Sequence, residues 1–211
     1  MRQRRIKNET EKVMQYDNYI LFNDNYTMRD IFKNEHPVHI EIGCGRGQFI
    51  NTLAEKNKDM NYIGLETIGS VLVRALEKTA TRNLQNVRYF WTNADCIQDL
   101  IQRHEIEKIY LNFSDPWPKK GHGKRRLTHS NFLHQYKNIL KPHGSIEFKT
   151  DNPQLFEFTL EEFEKNGLCI VEKTKNLYES DYLAGNVATE YEEKFVSLGY
   201  PIYYLKAIHT K

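Results

Sequence analysis

From residue 38 onward, short apolar runs alternate with longer stretches in which apolar residues recur every three or four positions. Five runs have the length and composition of buried strands: VHIEI (38–42), NYIGLE (61–66), VRYFWTN (87–93), EKIYLNFS (107–114) and GSIEFKT (144–150). The stretches between them have the period of amphipathic helices. Strands separated by crossover helices form a parallel sheet covered on both faces, so the pattern predicts a doubly wound α/β fold.

Two of the helical stretches cover residues 47–57 and residues 68 to about 82. A third has chemically marked ends. Asn152 fits a helix cap, Pro153 fits the first helical turn, and Gly167 fits the position just beyond the last turn. These residues predict a helix between positions 153 and about 166.

Another helix is predicted to begin at Thr128 as its cap and to end before Pro142 and Gly144. The helix and strand near residues 153–175 are followed by a polar stretch. The aromatic segment GYPIYYLKAI (199–208) then has the composition of a final strand.

The chain length of 211 residues suits one core domain with a terminal extension. Residues 1–36 contain basic and tyrosine-rich segments without a clear period. We therefore interpret them as an N-terminal extension of a domain over residues 37–211. Lys and Arg number 30 against 28 Asp and Glu, so net charge alone says little about partners.

The three cysteines, Cys44, Cys96 and Cys169, are odd in number and have no CxxC spacing. This pattern favours neither a disulfide framework nor a zinc site and suits a reducing cytoplasm. No apolar run approaches the roughly 18 residues of a membrane span. We therefore expect a cytoplasmic protein without a membrane segment.

The first strand leads into a turn with glycines at positions 43, 45 and 47, beside Glu41. Ligands of open α/β sheets bind at the carboxyl ends of the strands, where glycines let the backbone approach closely. A dinucleotide fingerprint would need a small residue where Gln48 stands. The Glu41 carboxylate would also repel a pyrophosphate, whereas it favours a cationic ligand such as S-adenosylmethionine.

Acids follow two further strands. Glu66 ends the second strand, where a carboxylate can accept from ribose hydroxyls, and Asp95 follows Asn93, which suits an adenine amino group. The alternative is that these acids only cap helices. The ExGxGxG pattern together with the two acids resembles class I methyltransferases, and the resemblance implies that S-adenosylmethionine is contacted by Glu41, Gly43, Gly45, Glu66 and Asp95.

The fourth strand run is followed by Asp115, two prolines and Trp117. Five basic residues then fall within positions 119–126, interrupted by two glycines. A cationic loop beside an aromatic ring is typical of RNA binding, because phosphates supply affinity and bases stack on rings. The alternative is a solvated loop next to a core tryptophan.

Three segments carry a more specific resemblance: YLNFSDPWPKKGHGKRRLT (110–128), GSIEFKTDN (144–152) and TEYEEKF (189–195). In order and spacing they closely resemble the bacterial tRNA (guanine-N7-)-methyltransferases, which are Rossmann-like class I methyltransferases. The resemblance covers nearly the whole chain from about residue 38. It implies methylation at N7 of a guanosine in the tRNA variable loop (tRNA position 46), and a seven-stranded, mostly parallel sheet with an antiparallel last strand.

The same resemblance implies roles for individual residues. Asp115 would be catalytic and would also adjoin the cofactor. The substrate would be held by Lys119, Asp151, Thr189, Glu190, Tyr191 and Glu192. The RNA would be touched by Gly121, His122, Gly123, Lys124, Arg125 and Arg126. Family members often have a bulkier residue near the two glycines, so we expect a more flexible loop here.

Two rival functions stay open. A methyltransferase with a small-molecule or protein acceptor would not need the basic loop, and an RNA-binding protein without catalysis would not need Asp115 or the glycine turn. The eight histidines show no HExxH or paired spacing, so no metal site is expected. We expect tRNA as partner and a monomer or homodimer, with the dimer favoured.

Overall fold

The computed structural model describes residues 8–22 and 27–210, and of Lys120 only the backbone. Positions 1–7 and 23–26 of the predicted extension, and position 211, lie outside the described residues. The helices are α1 Glu9–Met14, α2 Met28–Phe32, α3 Gln48–Lys56, α4 Gly69–Thr81, α5 Ile97–Leu100, α6 Ser130–Ile139, α7 Pro153–Lys165 and α8 Glu190–Ser197. The strands are β1 Ile20–Leu21, β2 Val38–Ile42, β3 Asn61–Glu66, β4 Val87–Trp91, β5 Ile106–Asn112, β6 Leu140–Thr150, β7 Leu168–Thr174 and β8 Tyr203–His209.

The chain divides into two compact units, Met1–Gln102 and Arg103–Lys211. In the first unit the strand order is β1-β4-β3-β2, and every neighbouring pair is parallel. Ile42 pairs with Leu65 and Glu66 pairs with Trp91, so β2, β3 and β4 end at the same edge. This edge is where the sequence predicts the cofactor-binding residues.

Helices α3 and α4 of the first unit have the predicted ends. Gly47 caps α3 in the left-handed conformation, and Asn57 follows its last turn. Ile68 precedes α4 and Arg82 ends it. The periodic apolar residues of both helices are buried in the core beside the strands, which explains why periodicity located them.

The predicted N-terminal extension contributes ordered elements to the first unit. Val13 of α1 and Ile20 of β1 belong to its hydrophobic core. Strand β1, only two residues long, pairs with β4 and is the eighth strand among the described residues. The predicted number of seven strands is therefore wrong by one. A two-residue strand has no period that a sequence could reveal. The domain boundary at position 37 stays a prediction.

In the second unit the strand order is β5-β6-β8-β7. Strands β5 and β6 are parallel, whereas β8 is antiparallel to both β6 and β7. The predicted antiparallel last strand is therefore confirmed. Helix α7 begins at Pro153 with Asn152 as its cap, and Gly167 follows it with a φ of +71°, as predicted.

One predicted helix start is wrong. Helix α6 is capped by His129, whose Nδ1 accepts from Asn131 N at 3.2 Å, and not by Thr128. The Thr128 hydroxyl is buried and accepts from Thr159 Oγ1 at 2.9 Å, so a tertiary partner replaces the cap. The helix ends at Ile139, and the residues predicted to stop it, at positions 142 and 144, lie inside β6.

The α/β class and the mostly parallel pairing are confirmed, with strands in both units alternating with helices. Within residues 8–22 and 27–210 no helix is long and apolar enough to cross a membrane.

Candidate functional site

The glycine turn after β2 has three residues in the left-handed conformation, with φ of +78° at Gly43, +56° at Gly45 and +72° at Gly47. A Cβ added at either of the first two would meet nothing within 4 Å, so their faces are open. A Cβ on the third would lie 2.7 Å from Ala75 Cβ. The first two glycines therefore leave room for a ligand, while Gly47 permits close packing of α3 on α4.

Glu66, at the end of β3, stabilises this turn through hydrogen bonds. Its Oε2 accepts from Gly45 N at 3.0 Å, and its Oε1 accepts from Thr67 N at 2.8 Å and Ile68 N at 2.9 Å. A carboxylate has about four acceptor sites, so Oε2 retains capacity for a further donor. The predicted ribose-binding acid is thus also the residue that orients the glycine turn.

The other two predicted cofactor acids differ in exposure. Glu41 is buried in β2, opposite Gly64 of β3. Asp95 is exposed, and its Oδ2 accepts from Asn93 Nδ2 at 2.7 Å. The Asn93 side chain in turn caps the short 3-10 helix Ala94–Cys96.

The chemistry of this edge fits S-adenosylmethionine, which carries two cationic groups and two ribose hydroxyls. One carboxylate lies within β2, one ends β3 and one follows β4, and the two open glycines leave the backbone accessible. Ser70 Oγ, in the first turn of α4, is buried and has no hydrogen-bond partner among the described residues. Buried polar atoms are nearly always paired in proteins, so this hydroxyl suits a ligand contact.

In the second unit, Asp115 lies in a strained loop. Phe113 and Trp117 have φ of +52° and +41°, a region that bulky side chains rarely adopt. The Phe113 amide donates to Lys149 O at 2.8 Å, which fixes the start of the loop to β6. Asp115 is exposed between the two strained residues. Such strain is found at functional sites, where the surrounding contacts maintain it.

Arg126 holds the far side of this loop. Its Nε donates to Pro116 O at 3.0 Å and a terminal nitrogen donates to Trp117 O at 3.1 Å. The guanidinium carbon also lies 4.3 Å from the centre of the Phe158 ring. Arg126, predicted to touch RNA, therefore has an internal role in which it orients the loop that carries Asp115.

The rest of the predicted RNA-binding segment forms a 3-10 helix, Lys120–Arg125, beside Trp117. Arg125 lies over the tryptophan ring at 5.0 Å, and His122 meets its edge at 5.7 Å. Within the predicted RNA-binding residues, Gly121, Lys124 and Arg125 are exposed, while His122 and Gly123 are half-buried. Lys119, which precedes them and is predicted to hold the substrate, is also exposed.

The predicted substrate residues Asp151 and Tyr191 meet in the second unit. Tyr191 Oη lies 3.4 Å from Asp151 Oδ2, a long hydrogen bond. Burial and the Asp151 carboxylate together raise the pKa of Tyr191 to about 12. The tyrosine ring stacks on Phe195 at 4.2 Å and lies 4.9 Å from Phe113, while 43% of the residue stays exposed.

Thr189 and Glu192 form a capping box at the start of α8, so their side chains bond to the backbone of their own segment. Glu190 is exposed. Glu192 is fully buried and pairs with Lys149 Nζ at 2.6 Å. Lys149 is not among the predicted functional residues, because a lysine within an apolar strand gives no sign of a partner 43 positions away.

Within the part of the chain that the structure describes, no three His, Cys, Asp or Glu side chains lie together as metal ligands. The expected absence of a metal stays a prediction. All three cysteines are free thiols.

Comparison with known proteins agrees with this geometry. Residues 35–205 match a family model described as putative methyltransferase. The chain is 49% identical over 173 residues to the tRNA (guanine-N(7)-)-methyltransferase of Bacillus subtilis (strain 168), covering 82% of this chain and 81% of that protein. It is 43% identical over 211 residues to the protein of the same name from Clostridioides difficile (strain 630), covering 98% of each.

Among solved structures, the 16S rRNA methyltransferase KamB superposes with a TM-score of 0.66 at 15% identity, covering 89% of this chain and 96% of that one. This likeness shows the fold alone. The family model and the two relatives cover most of the chain, and the fold is that of class I methyltransferases. The chain therefore belongs to the tRNA (guanine-N7-)-methyltransferase family of S-adenosylmethionine-dependent enzymes.

Proposed function

We propose that this protein transfers the methyl group of S-adenosylmethionine to N7 of a guanosine in tRNA, and that this guanosine lies in the variable loop. The proposal is supported by the named relatives and carried by one structural observation. Asp115 is held exposed between two strained residues, in a loop fixed at both sides by Lys149 and Arg126.

S-adenosylmethionine supplies an electrophilic methyl on a sulfonium. Guanine N7 has an in-plane lone pair and no proton, so the chain needs no general base at the nucleophile. Its tasks are to align the reacting atoms and to favour the positive charge that moves onto the imidazole ring. We assign to Asp115 the stabilisation of that positive charge.

For the cofactor we assign Glu41, Gly43, Gly45, Glu66 and Asp95, with Asp115 adjoining it. Glu66 would accept from the ribose hydroxyls through its remaining acceptor capacity, and the open glycines would let the backbone approach. These assignments follow from the fit of carboxylates to a cationic ligand.

For the acceptor we assign Lys119 and Asp151 as contacts, and the segment 189–192 as the element that places Tyr191 beside Asp151. Asp151 can accept from guanine N1–H and the exocyclic amine, a pattern that adenine lacks. The exposed cations Lys119, Lys124 and Arg125 would contact phosphates, whereas Arg126 would act by holding the loop. We also propose a cytoplasmic location and a monomer or homodimer.

The test is incubation of the purified protein with labelled S-adenosylmethionine and unmodified tRNA, followed by nucleoside analysis. We expect label in 7-methylguanosine. The Asp115→Asn variant should lower the single-turnover rate by at least about 100-fold, because a preorganised charge opposite the developing cation is lost.

Asp181→Asn is the matched control, since Asp181 is an exposed carboxylate of the same unit. It should keep the wild-type rate. A near-normal rate for Asp115→Asn would remove the role assigned to Asp115, while label in another acceptor or none in tRNA would reject the proposed reaction.

A further inference from the structure

The ammonium group of Lys149, near the end of β6, is fully occupied inside the second unit. Its Nζ lies 2.6 Å from Glu192 Oε2, 3.0 Å from Asn186 Oδ1 and 2.9 Å from Val187 O. An ammonium has three N–H donors, and these three acceptors account for them. The Lys149 side chain is 5% exposed, so water contributes little to its solvation.

The carboxylate of Glu192 is equally occupied. Besides Lys149, its Oε2 accepts from Thr189 N at 3.3 Å, and its Oε1 accepts from Asn186 Nδ2 at 2.6 Å and Tyr178 Oη at 3.1 Å. A carboxylate has about four acceptor sites, and all of them are filled here. The side chain is 0% exposed. A guanine edge could bond to Glu192 only if these hydrogen bonds broke.

We propose that Glu192 is a buried anchor and not a guanine ligand, and that Lys149 is a positioning residue which holds the acceptor-binding segment through it. The inference rests on the proposed function. It assigns a task to Lys149, and it removes Glu192 from the residues that the family resemblance places on the base.

The backbone and side chain of Lys149 connect the two parts of the second unit that would meet the acceptor. Its carbonyl accepts from Phe113 N at 2.8 Å and so fixes the loop that carries Asp115. Its ammonium fixes Glu192, whose neighbour Tyr191 lies 4.9 Å from the Phe113 ring and 3.4 Å from Asp151. Loss of the ion pair would release Tyr191 from its place beside Asp151.

Asp151 is then the residue that recognises the guanine base. Its carboxylate is half-buried, and within the described residues it accepts only the long hydrogen bond from Tyr191. It therefore has acceptor sites for the N1–H and the amine of guanine. Inosine has the same N7 and N1–H but lacks the amine, so it reports on which acid reads that group.

The experiment compares kcat/KM for two tRNA transcripts, one with the target guanosine and one with inosine in its place. We expect the wild type to prefer guanosine by at least about tenfold, because inosine would leave an acceptor site of the Asp151 carboxylate unpaired in the complex. Glu192→Gln should lower kcat/KM on both transcripts by a similar factor and keep the preference. Asp151→Ala should abolish the preference, because it removes both acceptor oxygens, whereas the amide oxygen of an asparagine could still accept from the amine.

Lys149→Met should match Glu192→Gln, with a lower kcat/KM for tRNA and an unchanged affinity for S-adenosylmethionine in calorimetry. Lys149→Arg should recover part of the loss, since it keeps the charge. Glu172→Gln is the matched control, because Glu172 pairs with Lys206 at 2.9 Å between β7 and β8 and has no proposed part in the reaction. It should leave the kinetics unchanged.

Single variants of a buried ion pair can be unstable, so the double variant Lys149→Met with Glu192→Leu provides a second test. It should be more stable than either single variant, and it should keep the guanosine preference. Loss of that preference in Glu192→Gln or in the double variant would overturn the inference.

The role of Glu192 as a buried anchor can also be tested without an activity measurement. A double-mutant cycle on the unfolding free energy should show strong coupling between Lys149 and Glu192, and additive effects would overturn the inference. If the wild type makes no 7-methylguanosine, the proposed function is rejected. The coupling between Lys149 and Glu192 would then still show whether Glu192 is a buried anchor.

Discussion

Single residues of the glycine turn have different tasks although their φ values are similar. Gly43 and Gly45 face open space, whereas the position of a Cβ on Gly47 is taken by Ala75 and Asn51. The spacing of the three glycines in the sequence suggests one shared role in ligand binding. The structure separates them, because Gly47 serves the contact between α3 and α4.

Gly47→Ala should destabilise the protein by about 2 kcal/mol or more, since alanine would meet both an unfavourable φ of +72° and a 2.7 Å contact. Denaturant unfolding measures this loss. Gly185→Ala is the control, because Gly185 has no positive φ and no atom within 4 Å of an added Cβ. Equal stability of the two variants would contradict the packing role.

Helices whose ends are marked by local chemistry could be predicted from the sequence. Helix α7 was located from its own cap residues, because Asn152 bonds to Leu155 N only three positions away. The start of α6 was wrong because the partner of Thr128 is Thr159, 31 positions away. The buried state of Glu192 was missed for the same reason, since its partner Lys149 is distant in sequence.

The N-terminal elements also escaped prediction, and α1 offers a test of their importance. Val13 is 1% exposed and lies in the core of the first unit, whereas its neighbour Met14 is 45% exposed. Val13→Ala should cost about 2 kcal/mol of unfolding free energy through lost burial and a residual cavity. Met14→Ala should cost little in the same thermal or denaturant assay, and a comparable loss would contradict the core assignment of α1.

A net charge of +2 gives the protein a weak overall electrostatic field, so affinity for a polyanion must come from local clusters of cations. The exposed cations of positions 119–125 form such a cluster, while Arg126 beside them is bonded to backbone carbonyls. Neighbouring basic residues of one loop therefore have separate roles in phosphate binding and in loop structure.

Lys124→Ala should reduce the slope of log Kd against log salt for tRNA by about one, because one phosphate contact is lost. Fluorescence anisotropy across a salt series measures that slope. Lys58→Ala, an exposed lysine of the first unit, should leave the slope unchanged. An unchanged slope in Lys124→Ala would mean that the loop does not contact phosphate.

The left-handed backbone at Phe113 and Trp117 also bears on how this protein can be engineered. Substituting glycine at either position would relieve the backbone strain but would also remove an aromatic ring. The Phe113 ring contacts Tyr191, and the Trp117 ring contacts Arg125. Phe113 also packs against the core residues Leu177, Ile202 and Tyr204, so glycine there would lose about 3 kcal/mol or more of burial while relieving strain of about 1–3 kcal/mol. Directed evolution of this enzyme should hold both residues fixed and seek robustness in the first unit.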